Sequence, residues 1–204
     1  MSSEPKMENN KNMNRKWLAT SVPLILFVVL FGFLLKGLFS DPRERDSALI
    51  GKTMPEFSLP DLMDEAIIHN QTSVTREPVL INVWGTWCTT CKYELPYLTQ
   101  LSQEYGVRIV GIYYDQNHAP EFGQYADIPA VRLEVQEMLA RLGNPYHYNI
   151  LDLDRTLSLN LGVTGAPETF LIDADGVIRA HHMGDVNERV WRDTLAPIWN
   201  EISR

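Results

Sequence analysis

Both cysteines of the chain fall within five residues, Trp87-Cys88-Thr89-Thr90-Cys91, where a near-continuous apolar run gives way to a helical pattern. The run, Val79–Trp84 (VLINVW), follows the breaker Glu77-Pro78. It is short, rich in β-branched residues and apolar on both alternating sets, as a strand buried on both faces must be. Gly85 to Thr90 reads as a turn. From Cys91 to Tyr105, Leu95, Leu98 and Leu101 recur at helical spacing and Gly106 supplies a stop, while Pro96 predicts a kink.

That corner sets the chemistry open to the pair. The spacing predicts Cys88 at a helix N-terminus, where unpaired backbone N–H groups and the positive dipole end favour a thiolate. Cys91, one turn in and more buried, is placed to attack a mixed disulfide formed at Cys88. A zinc site needs two further ligands, and His69, His118, His147, His181 and His182 show no matching spacing. A purely structural disulfide would close a very small loop, and loop-closure stabilisation shrinks with loop length. A redox-active pair accounts best for the strand–turn–helix placement.

The remaining pattern alternates strands and helices. Val107–Tyr114 reads as a second buried strand, and Val131–Leu142 as a helix closed by Gly143-Asn144-Pro145. Thr169–Asp173 and Val177–His182 flank the turn Ala174-Asp175-Gly176 as a hairpin. Asn187 is placed to cap a last helix reaching about Ile202, with Val190, Trp191, Leu195, Ile198 and Trp199 along one face. Asp115–Ala130 fits no element and reads as an excursion. The expected fold class is α/β, a central mixed sheet flanked by helices.

Ahead of this domain lies a run of 19 uncharged residues, Trp17 to Leu35. Only Lys36 interrupts an apolar stretch that continues to Phe39. Such a length spans a bilayer core of about 30 Å, exceeds a typical signal-peptide core, and its exit (GLFSDP) has no small-residue cleavage site. Residues 17–39 are therefore expected to be an uncleaved transmembrane anchor, 1–16 a cytoplasmic tail, 40–50 a polar tether and 51–204 the folded domain. Lys6, Lys11, Arg15 and Lys16 before the span, against Lys36, Arg43 and Arg45 after it, favour a cytoplasmic N-terminus. The domain would then stand in an oxidising periplasm, on a bacterial inner membrane. The net charge is −8, so no nucleic-acid partner is expected.

The stretch INVWGTWCTTCKYELPYL resembles the active-site segment of thioredoxin-like proteins. GNPY, LGVTGAPETFLIDADGVIR and GDVNERVW resemble the membrane-anchored thiol:disulfide interchange proteins of cytochrome c biogenesis, the DsbE type, over roughly residues 50–202. The resemblance implies a thioredoxin-like fold and a protein-disulfide reductase whose redox group is the Cys88–Cys91 pair, without metal or other cofactor. It implies a client, the haem-attachment C-x-x-C-H segment of apocytochrome c. A membrane thiol reductase as electron donor and other cytochrome c maturation components are the further partners. Cys88 resembles the nucleophile and Cys91 the resolving cysteine. Trp87 precedes the pair, and Pro167, after Ala166, resembles a cis-proline facing it. Glu94 and Glu168 resemble acidic residues around the active site, against the plainer reading of solvated surface carboxylates.

Two positions differ from general thioredoxins or from the family. Asn82 stands where thioredoxins carry a buried Asp that takes the resolving cysteine's proton, which predicts a selective reductase whose range would widen with an acid at 82. Thr89 stands where the family usually has Pro. Other readings remain: a tethered reductase for a different client, in another maturation or copper-resistance pathway; a peroxiredoxin-like thiol peroxidase, invited by Gly51–Leu62 (GKTMPEFSLPDL); or a non-enzymatic binding module, which would tolerate loss of both cysteines.

Overall fold

The structure is a computed structural model that describes residues 22–35, 49–116 and 126–204. It divides into two units, Met1–Pro42 and Arg43–Arg204. In the first, the described residues 22–35 are helical (α1), with exposed apolar side chains from Val22 to Leu35. Among the described residues no helix is long and apolar enough to cross a membrane. The rest of the expected 17–39 span, the 1–16 tail and residues 40–48 of the tether lie outside the described residues.

The second unit is built on a five-stranded mixed sheet in the order β5-β4-β3-β6-β7. At its centre is β3 (Val79–Trp84), buried at every position, as its apolar run interrupted only by Asn82 leads one to expect. It pairs in parallel with β4 (Ile109–Tyr113) and antiparallel with β6 (Glu168–Ile172). β5 (Asn149–Leu151) extends the parallel half beyond β4, and β7 (Ile178–Met183) closes the antiparallel half beside β6. A two-stranded ribbon, β1 (Ser58–Pro60) with β2 (Ile68–Asn70), precedes this sheet and leads into the single turn α2 (Gln71–Val74). The sheet has a core on each face. Leu80 and Trp84 of β3 pack under α3 (Thr89–Glu104), while Val79, Ile81 and Val83 face Phe170, Ile178 and Leu157 on the other side.

Several expected boundaries shift for local reasons. α3 begins at Thr89 rather than Cys91, because Cys88 itself is the N-cap and its sulfur accepts from the Cys91 N–H. The second strand is shorter than expected, Ile109–Tyr113 within 107–114. The 115–130 excursion is shorter than it reads: Asp127 caps α4 (Ile128–Leu142), and Pro129 occupies its first turn, where a missing N–H costs nothing. Residues 117–125 lie outside the described residues. α5 (Thr156–Asn160) was not foreseen. The last helix is capped by Asn187 as expected but is not uniform. It runs as α6 (Glu188–Val190), a widened π turn at Trp191–Leu195, and α7 (Ala196–Ile202). Pro197 has no N–H to offer the Asp193 carbonyl, and the widened turn sits just ahead of it.

Candidate active site

Strand β3 ends at the sheet's carboxyl edge and hands the chain to α3 across Gly85–Trp87, so the cysteine pair is set at the helix N-terminus. Cys88 and Cys91 are joined as a disulfide with Cα atoms 5.3 Å apart. The Cys91 N–H points at Cys88 Sγ, 3.0 Å away, which is the interaction that would stabilise a thiolate there once the bond is reduced. Both residues are nearly enclosed, Cys88 at 4% exposure and Cys91 at 1%, so the expected contrast in burial is small in this oxidised state.

Trp87 is held beside the pair. Its indole N–H donates to the Tyr114 carbonyl at 2.9 Å, and its ring packs against that of Tyr114 at 5.2 Å. The fit depends on Gly85, because a Cβ at that position would overlap the Trp87 indole. Arg155 lies over the far partner, 5.3 Å from the Tyr114 ring centre, and donates to the Asp115 carbonyl. Opposite the disulfide is the turn before β6. The Ala166–Pro167 peptide is cis, and the Ala166 carbonyl oxygen lies 3.4 Å from Cys88 Sγ.

The two acids that the sequence singles out are both 2% exposed, which overturns their reading as solvated surface carboxylates. They do not form one cluster. Glu94 lies one turn beyond Cys91 on the same buried face of α3. Its Oε1 accepts from Asn82 Nδ2 and its Oε2 from the Val186 N–H, both at 2.9 Å. Asn82 also reaches Thr169 Oγ1, and its own oxygen accepts from the Tyr146 hydroxyl at 2.8 Å, which fixes the amide with its NH2 toward Glu94. Burial pushes the Glu94 carboxyl up to about 8; the bonds from Val186 and Asn82 oppose that rise, and nearby Asp185 adds to it.

Glu168 sits on the other face of the sheet, the face it shares with Phe170 by strand alternation. Its Oε1 accepts from the Thr164 N–H at 2.8 Å, the Thr164 hydroxyl at 2.7 Å and the Gly165 N–H at 3.0 Å. Its Oε2 meets His181 Nε2 at 2.8 Å. Burial pushes this carboxyl up, but the bonds from His181 and Thr164 outweigh it, and its pKa lies below the usual range. Two buried glutamates are thus poised oppositely, Glu94 to exchange a proton near neutral pH and Glu168 to stay charged.

Tyr146, Thr169, the Val186 amide and His181 are the partners that sequence reasoning missed. Tyr146 ends the GNPY segment, and that placement was the one available signal. Among the described residues no group of three or more His, Cys, Asp or Glu could hold a metal ion.

Residues 49–195 match the Redoxin family model. Over 195 residues the chain is 42% identical to the thiol:disulfide interchange protein DsbE of Vibrio cholerae, covering 93% of this chain and 97% of that one. It is 41% identical to DsbE of Escherichia coli K12 over 198 residues, covering 94% and 98%. The chain belongs to the DsbE family of thiol:disulfide interchange proteins. The fold agrees. The secreted thiol-disulfide isomerase of Corynebacterium glutamicum superposes with a TM-score of 0.58 at 21% identity, over 79% of this chain and 96% of that one. The thio-disulfide isomerase of Thermus thermophilus gives 0.53 at 25% identity, over 73% and 96%. With a C-x-x-C disulfide at the head of α3 in a thioredoxin-like fold, this DsbE-family chain is a thiol-disulfide oxidoreductase.

Proposed function

We propose that the chain is a periplasmic dithiol reductant, tethered to the inner membrane through residues 17–39, that reduces the haem-attachment cysteines of apocytochrome c. The observation that carries this reading is the Ala166 carbonyl 3.4 Å from Cys88 Sγ, on a turn whose next residue, Pro167, has no N–H to compete for a partner. An extended C-x-x-C-H segment laid along Thr164–Ala166 brings its disulfide to Cys88. The family match over nearly the whole chain, N-terminal apolar run included, supports the tether.

The reaction transfers two electrons from protein to client. The Cys88 thiolate attacks one sulfur of the client disulfide, and the other leaves as a thiolate that takes a proton. Cys91 gives its proton to the Glu94 carboxylate and attacks Cys88 Sγ, which closes the disulfide seen here and releases the second client thiol. A membrane thiol reductase then restores the dithiol, and other cytochrome c maturation components receive the reduced client. Thr89 stays part of the exposed first turn of α3, with no role assigned to it.

Reduction of an oxidised C-x-x-C-H peptide and of insulin, at equal concentrations with one electron donor, tests the reading. Faster reduction of the peptide is expected; equal rates would sink it in favour of a general reductase. A second check is topology: a membrane-impermeant thiol reagent should label reduced Cys88 in intact spheroplasts, and labelling only after lysis would rule out the periplasmic placement.

A further inference from the structure

Glu168 is a carboxylate buried among hydrogen-bond donors, and three of its four bonds hold backbone or side-chain groups of Thr164 and Gly165. These are the residues that lead into Ala166. The fourth bond, from His181, comes from a different strand. Phe170 and His181 are register partners across β6 and β7, and their rings stack 4.2 Å apart at 10°. From that position His181 reaches the diagonal neighbour Glu168, whose own register partner is Met183. The His181 side chain is only 6% exposed. An ionised carboxylate can only accept, so His181 Nε2 carries the hydrogen.

We propose that His181 is a positioning residue for client docking: by anchoring Glu168 from β7 it fixes Thr164 and Gly165, and through them the Ala166 carbonyl that faces Cys88. Without the His181 bond, Oε2 loses its partner and the carboxylate is held through Oε1 alone, so its hold on two successive backbone N–H groups weakens. Cys88 and Cys91 are untouched by this, since they are held from α3. The consequence falls on binding of an extended client and leaves sulfur chemistry in place. The inference rests on the reading that clients dock along this turn.

The test uses the full chain in detergent micelles with three substitutions. His181→Gln sets a donor where Nε2 was. His181→Asn sets its amide nearer the backbone, where it cannot reach Glu168. His181→Phe keeps the stack on Phe170 and removes the donor. Amide exchange at Thr164 and Gly165 in the oxidised protein is expected to rise about tenfold or more in the Asn and Phe variants, and to stay near wild type in Gln. KM for the oxidised C-x-x-C-H peptide should rise severalfold in the same two variants with little change in kcat. Reduction of a small aromatic disulfide, dithiobis(nitrobenzoate), which needs no strand pairing, should be unchanged. If the Phe variant does not fold, the Asn and Gln pair carries the same comparison. Wild-type exchange and KM in the Asn variant would overturn the proposal, as would a parallel loss of every rate in all three variants. Faster exchange with a wild-type chain that is idle on the peptide would uphold the His181 anchor and remove the client reading instead.

Discussion

Asn82 donates from Nδ2 to Glu94 Oε1 at 2.9 Å, so the strand residue that replaces a buried acid is hydrogen-bonded to a buried acid on the helix. In the mechanism proposed above the proton acceptor is therefore on α3, one turn beyond Cys91, and not on β3. Because burial raises the Glu94 carboxyl to about 8, its base form is scarce at pH 6 and predominant above pH 9. Closure of the Cys88–Cys91 disulfide from a mixed disulfide should accelerate with pH through about 8 and then level. Glu94→Gln should slow that step about a hundredfold near pH 8 and flatten the rise, as followed by stopped-flow Trp fluorescence.

The same carboxyl sets a stability trend. A folded-state pKa above the usual carboxylate value means that the folded protein holds a proton the unfolded chain has lost. Stability from this group is therefore greatest below about pH 4.5, falls as pH rises toward 8, and is flat beyond. The span is on the order of 5 kcal/mol if nothing relaxes. Urea unfolding of the oxidised protein at pH 5 and pH 8 should show a clear loss, and Glu94→Gln should remove most of it. An equal loss in both proteins would contradict the assignment.

Asn82→Asp, which on sequence grounds was expected to broaden activity, is now expected to do harm. The Tyr146 hydroxyl holds the Asn82 oxygen, so the group facing Glu94 must donate, and a carboxylate there cannot. Two buried carboxyls would share one proton, with a stability loss of about 2–4 kcal/mol above pH 8. Thermal melts at pH 6 and pH 9 should separate the variant from wild type chiefly at the higher pH, with no gain in insulin reduction.

Replacing Cys91 by Ser should leave mixed disulfides on Cys88 unresolved, and mass spectrometry should find the C-x-x-C-H peptide attached there. The reciprocal Cys88→Ser should trap little, because Cys91 lies inside the first turn of α3 and it is the Cys88 sulfur, at the N-cap, that accepts a backbone N–H. Preferential trapping on Cys91 would reverse the assigned roles.

Gly85→Ala should displace the Trp87 indole and break its bond to the Tyr114 carbonyl. A melting-temperature drop matching about 1–3 kcal/mol and a shifted Trp emission are expected, with the disulfide still forming.

The centre of the fold was legible because β3, α3 and the β6–β7 hairpin carry their instructions locally: a run apolar on both faces, leucines at helical spacing, Asp-Gly in the turn. β5 was not, since it has three residues and begins with Asn149. Asn149 belongs there because its side-chain oxygen accepts from the Trp84 indole N–H at 2.9 Å, a contact 65 residues away in sequence. Likewise, acids are ordinarily exposed, and nothing near Glu94 in sequence shows that the Val186 N–H, 92 residues on, satisfies it. The redox pair was readable from its corner. The wiring of the two glutamates was not, because each is completed by strands and turns that only the folded sheet brings together.

Glu94 and Glu168 are separated by the thickness of the sheet, one bonded to Asn82 and Val186 below α3 and the other to the Thr164–Gly165 turn on the far side. Under the proposed roles, proton handling and client choice are therefore independently adjustable traits. Their substitutions should combine additively, and the oxidoreductase is expected to be retargetable to a new extended client by changes around His181 and Thr164 alone, with its pH profile carried over intact.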